Sequence, residues 1–85
     1  MDNAGIFTLA KRILSDELAL DVDGLSEEQT LEAIGIDSIG LMTLIVYLEE
    51  ELSISVDFDS NWPADITSIT MKQFIDNIKR IVDTK

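Results

Sequence analysis

The sequence predicts an all-α protein: a small four-helix bundle with three longer helices, a short third helix and a long first loop. Three observations carry this expectation. Three segments repeat apolar residues at three- and four-residue steps, the period of one helix face. No two segments alternate as strands that could pair with each other. The hydrophobic fraction of 46% is too high for a disordered chain even at a formal net charge of −11. The 85 residues suit one domain, residues 1–85, with one modest core.

The first helix is expected from Ile6 to Leu18, with Ile6, Ala10, Ile13, Leu14 and Leu18 on one face. Asp2 and Asn3 stand ahead of it as caps and suit the positive end of its dipole. Residues Ala19 to Gly35 are long for a helix connection, so Leu20, Val22, Leu25, Leu31 and Ile34 are read as its anchors to the core. Ser26-Glu27-Glu28-Gln29 offers a short capped turn, and Gly35 is a natural helix terminator. Asp21-Val22-Asp23-Gly24 has part of a calcium-loop pattern. The full loop would need ligands at Ala19 and Thr30, so EF-hand calcium is set aside.

The second long helix is expected from Ser38 to Leu52, with Leu41, Leu44, Ile45, Leu48 and Leu52 inward. Asp37 and Ser38 supply its cap chemistry. Ile54, Val56 and Phe58 alternate with Ser55 and Asp57, but a lone strand has no partner, so this is read as an anchored loop. A short helical element is expected between Asp57 and Asp65, limited to a turn or two by Trp62-Pro63. The last helix is expected from Ser68, its cap, to Val82, with Met71, Phe74, Ile75, Ile78, Ile81 and Val82 as its stripe. Lys79, Arg80 and Lys85 lie towards its end, which the dipole favours.

The residue inventory excludes several classes of function. Cys is absent, so disulfides, zinc-thiolate sites and protein thiol chemistry are excluded. His is absent too, which removes the usual base for a serine nucleophile and the commonest metal ligand. No catalytic residue and no metal site are expected. No basic residue lies between Arg12 and Lys72. Such an acidic middle repels nucleic acid and anionic lipid, and it suits basic protein surfaces. No apolar run approaches the roughly 18 residues of a membrane span. The short acidic N-terminus does not read as a signal peptide, and a cytoplasmic monomer is the default.

Ser38 is where the remaining chemistry can sit. A hydroxyl at a helix start caps the helix, which is the first reading of the local pattern. It can also accept a phosphate-containing group, whose charge the free helix N–H groups favour. Ile39, Leu41 and Met42 follow so closely that they cannot all face inward on a helix. At least one apolar side chain must then lie at the surface beside Ser38.

Gly35-Ile36-Asp37-Ser38-Ile39 resembles the Gly-x-Asp-Ser-Leu/Ile motif of acyl and peptidyl carrier proteins. The resemblance runs through nearly the whole chain: the long first loop, Leu44 and Leu48, Glu49-Glu50, Ile54-x-Val56 and Ile66-Thr67-Ser68-Ile69. It implies that Ser38 carries a 4′-phosphopantetheine arm added from coenzyme A by a phosphopantetheinyl transferase. The thiol that binds acyl or aminoacyl cargo then belongs to the arm. The resemblance further implies that Asp37, Ile39, Leu41, Met42, Val46 and Glu49 line the surface that acyl- or aminoacyl-loading and acyl-processing enzymes recognise, through basic or apolar faces of their own. Val46 is also expected to face a cavity that shelters the acyl chain. Gly40 and Thr43 stand where many carriers of primary fatty-acid synthesis have acids. With Phe58 and Trp62-Pro63, they make the chain resemble stand-alone carriers of amino acids or specialised acyl groups, the D-alanyl kind included. Without modification, the alternative is a small acidic adaptor protein.

Overall fold

The computed structural model describes residues 2–57, 62 and 65–84. Four helices follow in order: α1 (Asn3–Leu18), α2 (Leu31–Ile34), α3 (Ser38–Leu52) and α4 (Met71–Thr84). No strand occurs among the described residues; one isolated antiparallel bridge joins Thr30 and Thr70. Helix α1 packs against both α3 and α4.

The three long helices form where their periodicity predicts them. The Asp2 side chain caps α1 by accepting from the Gly5 N–H. The inward stripes meet in one core. Ile6, Ala10, Leu14, Leu41, Leu44, Leu48, Met71, Phe74 and Ile78 are completely shielded from solvent. The loop anchors act as expected: Leu31 is buried, and Leu20, Val22, Leu25 and Ile34 lie half-buried against the core. Ile54 is buried in the loop after α3, and no strand forms there.

One short helix was not expected: α2, the second helix, lies inside the long first loop. Thr30 caps it by accepting from the Ala33 N–H, and Gly35 ends it at φ 104°, a conformation that strains any residue with a Cβ. Four residues are too few to show a period, so nothing in the pattern marked them. The short element expected between Asp57 and Asp65 lies mostly outside the described residues. Trp62, within it, is buried and tilts against Phe74 with ring centroids 6.0 Å apart.

The cap of α4 also differs. Ser68 donates its hydroxyl to the Asp65 carbonyl and does not cap. Thr70 caps, its hydroxyl accepting from the Gln73 N–H at 3.1 Å while Gln73 Oε1 accepts from the Thr70 N–H at 2.9 Å. This reciprocal pair is a capping box. The reason for the shift is a clasp between the starts of α2 and α4. The Leu31 and Glu32 N–H groups donate to the Ile69 and Thr67 carbonyls, and the Met71 and Lys72 N–H groups donate to those of Gln29 and Glu27. Each helix thus satisfies its first free donors on the loop before the other. Thr70→Ala is expected to cost about 1 kcal/mol. Thermal melting should show it as a fall of about 4–8 °C.

Candidate functional site

The site is built at the start of α3. Gly35 turns the chain out of α2, Ile36 is buried as a peg, and Asp37 takes an extended conformation at the cap position. Asp37 Oδ1 accepts from the Gly40 N–H at 2.7 Å. A Cβ on Gly40 would stand 3.2 Å from that same oxygen, so glycine there leaves the cap unhindered. With Asp37 capping, Ser38 becomes the first helical residue. Its side chain is exposed, and its hydroxyl has no hydrogen-bond partner among the described residues. Capping, the first reading of its local pattern, is therefore not its role.

Ser38 stands between two open grooves. One, of about 590 Å³, runs along the outer face of α3 and is lined by Ser38, Ile39, Met42, Thr43, Val46, Tyr47 and Glu50. The other, of about 520 Å³, lies between the α2–α3 turn and the loop before α4, lined among others by Glu32, Asp37, Asp65 and Thr67. The first is largely apolar; the second carries three carboxylates. No group of His, Cys, Asp and Glu side chains is placed to hold a metal ion among the described residues.

Apart from Asp37, which caps α3, the expected docking residues separate into three groups. Ile39, Met42 and Val46 share the outer face and are 77%, 49% and 48% exposed. Leu41 does not belong with them. It is fully buried, because its place in the helical turn points it with Leu44, Ile45 and Leu48 into the core. Glu49 is half-buried, and its Oε2 accepts from the Val56 N–H at 2.9 Å, so it ties down the loop after α3. Val46 faces the outer groove rather than an interior cavity. Tyr47 was not singled out from the sequence, and Thr43 and Glu50 were noted there but not as groove lining. Steps of four from Ile39 and Val46 would have found them.

Tyr47 closes one side of the outer groove. Its hydroxyl donates to Glu17 Oε2 at 2.9 Å, linking α3 to α1. That hydrogen bond to Glu17 raises its pKa above the ordinary tyrosine value, followed by the Glu17 charge, slight desolvation and the Glu50 charge. A raised folded-state pKa contributes stability that is present below the unfolded value and lost as pH rises through the folded one. The contact should therefore hold through neutral pH and fail only in strong alkali. The chain has one Tyr, so tyrosinate absorbance reads this group alone. Glu17→Gln is expected to move the midpoint down towards the ordinary value. An unchanged midpoint would mean that Glu17 does not govern it.

The arrangement offers a bare hydroxyl at a helix N-terminus. The Ser38 and Ile39 N–H groups have no acceptor among the described residues. Such free donors and the helix dipole favour a phosphate by about 0.3–1 kcal/mol. The Asp37 carboxylate next to it opposes this by about 1 kcal/mol or less in water. The two effects roughly cancel, so this site would not retain a phosphate without a covalent bond.

Comparison with known proteins agrees with this chemistry. A family model described as a phosphopantetheine attachment site matches residues 9–60. The chain is 31% identical over 75 residues to an acyl carrier protein of Campylobacter jejuni, covering 87% of this chain and 96% of that protein. It is 27% identical over 82 residues to an acyl carrier protein of Saccharopolyspora erythraea, covering 95% of this chain and 86% of that one. It is also 37% identical over 54 residues to a non-reducing polyketide synthase of Gibberella fujikuroi. That match takes in 64% of this chain and spans 2% of the synthase. No solved structure matches the chain significantly.

Proposed function

Because the chain belongs to the phosphopantetheine-attachment family, whose members bear the 4′-phosphopantetheine group covalently, we propose that Ser38 is its attachment residue and that residues 1–85 act as one stand-alone carrier domain. The observation that carries this reading is the division of labour at the start of α3. Asp37 does the capping, and the Ser38 hydroxyl is left exposed and unbonded. The group fits there, since one hydroxyl, two free backbone donors and two flanking grooves leave room for a phosphodiester.

When bound, the arm supplies the thiol that this Cys-free chain lacks. The chain's own residues do the rest. Ser38 is held out on a rigid helix, the Asp37 cap fixes the first turn, and the outer face of α3 gives a modifying enzyme something to grip. The acyl carrier role follows from the family, and the protein itself is read as non-catalytic. The partners are a phosphopantetheinyl transferase and the enzymes that load and process the cargo. Asp37, Ile39, Met42 and Val46 are the docking residues. Gly40 and Thr43, where acids stand in carriers of primary fatty-acid synthesis, favour specialised acyl or aminoacyl cargo. No described helix is long and apolar enough to cross a membrane, and a cytoplasmic monomer remains the reading.

The test is intact mass after incubation of the apo chain with coenzyme A and a broad-specificity phosphopantetheinyl transferase. One phosphopantetheinyl increment is expected on the wild type and none on Ser38→Ala. An unchanged wild-type mass, or an increment that persists in the variant, overturns the assignment.

A further inference from the structure

Past Ser38, each hydroxyl on the outer groove of α3 has its proton engaged inside the chain. Thr43 Oγ1 donates to the Ile39 carbonyl at 3.1 Å, and the Tyr47 hydroxyl donates to Glu17 Oε2 at 2.9 Å. A hydroxyl that donates keeps its lone pairs, so both oxygens remain acceptors. Glu50 adds a carboxylate that is exposed and makes no hydrogen bond or ion pair among the described residues. The polar side chains past Ser38 therefore accept and do not donate. Between them the lining is apolar, through Ile39, Met42 and Val46. A ligand that matches this groove is apolar along its length and brings N–H groups with a positive charge at one end.

The groove also fixes where that charge must lie. Ser38 lines one end and Glu50 the other. At about 1.5 Å per residue they stand roughly 18 Å apart along the helix. A 4′-phosphopantetheine arm has about as many atoms in line as five residues of backbone, and a chain of that length extends to about 16–18 Å. An arm attached at Ser38 thus reaches Tyr47 and Glu50 with its thiol end. The groove volume of about 590 Å³ is that of a small-ligand site. A fatty chain finds no match there, because past the reach of the arm it leaves the apolar stripe and meets a carboxylate. A protonated amine next to the thioester carbonyl meets the same carboxylate and the Tyr47 oxygen.

We propose that the cargo of this chain is aminoacyl, and that Glu50 and Tyr47 bind its protonated amine at the far end of the α3 groove. The inference rests on Ser38 as attachment residue and names the cargo class for that site. A nearby carboxylate favours the charged form of an amine, and a protonated amine cannot attack a thioester. The contact thus holds the cargo and also keeps it from reacting with itself.

The test loads the apo chain from alanyl-coenzyme A or from propionyl-coenzyme A, which lacks only the amine, with a broad-specificity phosphopantetheinyl transferase. Intact mass reads each loading. Nuclear magnetic resonance of an alanyl group labelled at Cα then follows the titration of its amine. The midpoint is expected to lie higher on the wild type than on Glu50→Gln by about 0.2–0.7 pH units, the measure of one exposed ion pair. Glu28→Gln removes an exposed acid outside the groove and should leave the midpoint in place. The Tyr47 ring resonances should move more with alanyl than with propionyl cargo. Both substitutions lie at exposed positions, so the fold is kept.

Equal midpoints on wild type and Glu50→Gln overturn the proposal. So does an equal fall in Glu28→Gln, which makes the effect the field of the whole chain. Tyr47 resonances that both cargoes move alike overturn it too, since the groove then does not read the amine. In each of these outcomes the mass increment stands and Ser38 keeps its role. A wild type that gains no mass removes the Ser38 assignment and this inference with it.

Discussion

Ser38→Ala is expected to abolish loading of the arm while moving the melting temperature by less than about 4 °C. An exposed side chain with no partner contributes within about 0.5 kcal/mol to stability. For a domain of this size, that amounts to about 2–4 °C. Asp37→Ala should do the reverse. It loses the bond to the Gly40 N–H, costs about 1 kcal/mol, and still leaves a hydroxyl for the transferase. Loading is then slowed by a frayed first turn rather than abolished. The pair of variants separates the two things a polar residue can do at a helix start. If Ser38→Ala melts as low as Asp37→Ala, the hydroxyl is a structural group and the division of labour is wrong. If it is still loaded, the attachment residue lies elsewhere.

Phe74→Ala is expected to be the most damaging single change to the fold. Phe74 is fully buried at the centre of the α4 stripe and supports the Trp62 ring. Truncating a core Phe costs about 3–5 kcal/mol, through lost transfer energy and the cavity left behind. The whole domain is held by roughly 4–13 kcal/mol, so a large share of its stability is removed. The melting temperature should fall by more than about 12 °C. The chain has one Trp, so fluorescence reports on this neighbourhood directly. The emission of Trp62 should shift towards that of a hydrated indole below the melting point. A variant that melts within about 5 °C of wild type, a loss of about 1 kcal/mol, would fall below that range and mean that α4 closes over the gap. Such a collapse would draw the clasp inward and change the groove beside Ser38.

The elements legible in the sequence are those whose cause is local. The period of Ile6, Ala10 and Leu14 and that of Met71, Phe74 and Ile78 mark which side of α1 and α4 is apolar. Asp2 and Gly35 announce a start and a stop through their own backbone chemistry. The motif around Ser38 could be read without any coordinates. The failures share a different cause. Ser68 and Thr70 are both hydroxyl residues before the last helix, two positions apart, and either could cap it. Thr70 does so because the carbonyls of Glu27 and Gln29, more than forty positions away in the chain, take the next two N–H groups. Likewise α2 is held by Ile69 and Thr67 and has no periodicity of its own to betray it.

At the site the division is the same. The sequence by itself determined that Ser38 opens a helix, that no Cys or His could work beside it, and that apolar residues follow it too closely to be hidden together. It could not decide between Leu41 and Met42 as surface residues, nor between Asp37 and Ser38 as the cap. Tertiary structure decided both. Helix α1 and the core cover the Leu41 side of α3 and leave the Ile39, Met42 and Val46 side in water. A helix that is apolar all round carries no internal mark of which face will be covered. That choice depends on neighbours brought in from distant parts of the chain, and it turned a stretch of apolar sequence into an exposed apolar face beside an exposed hydroxyl.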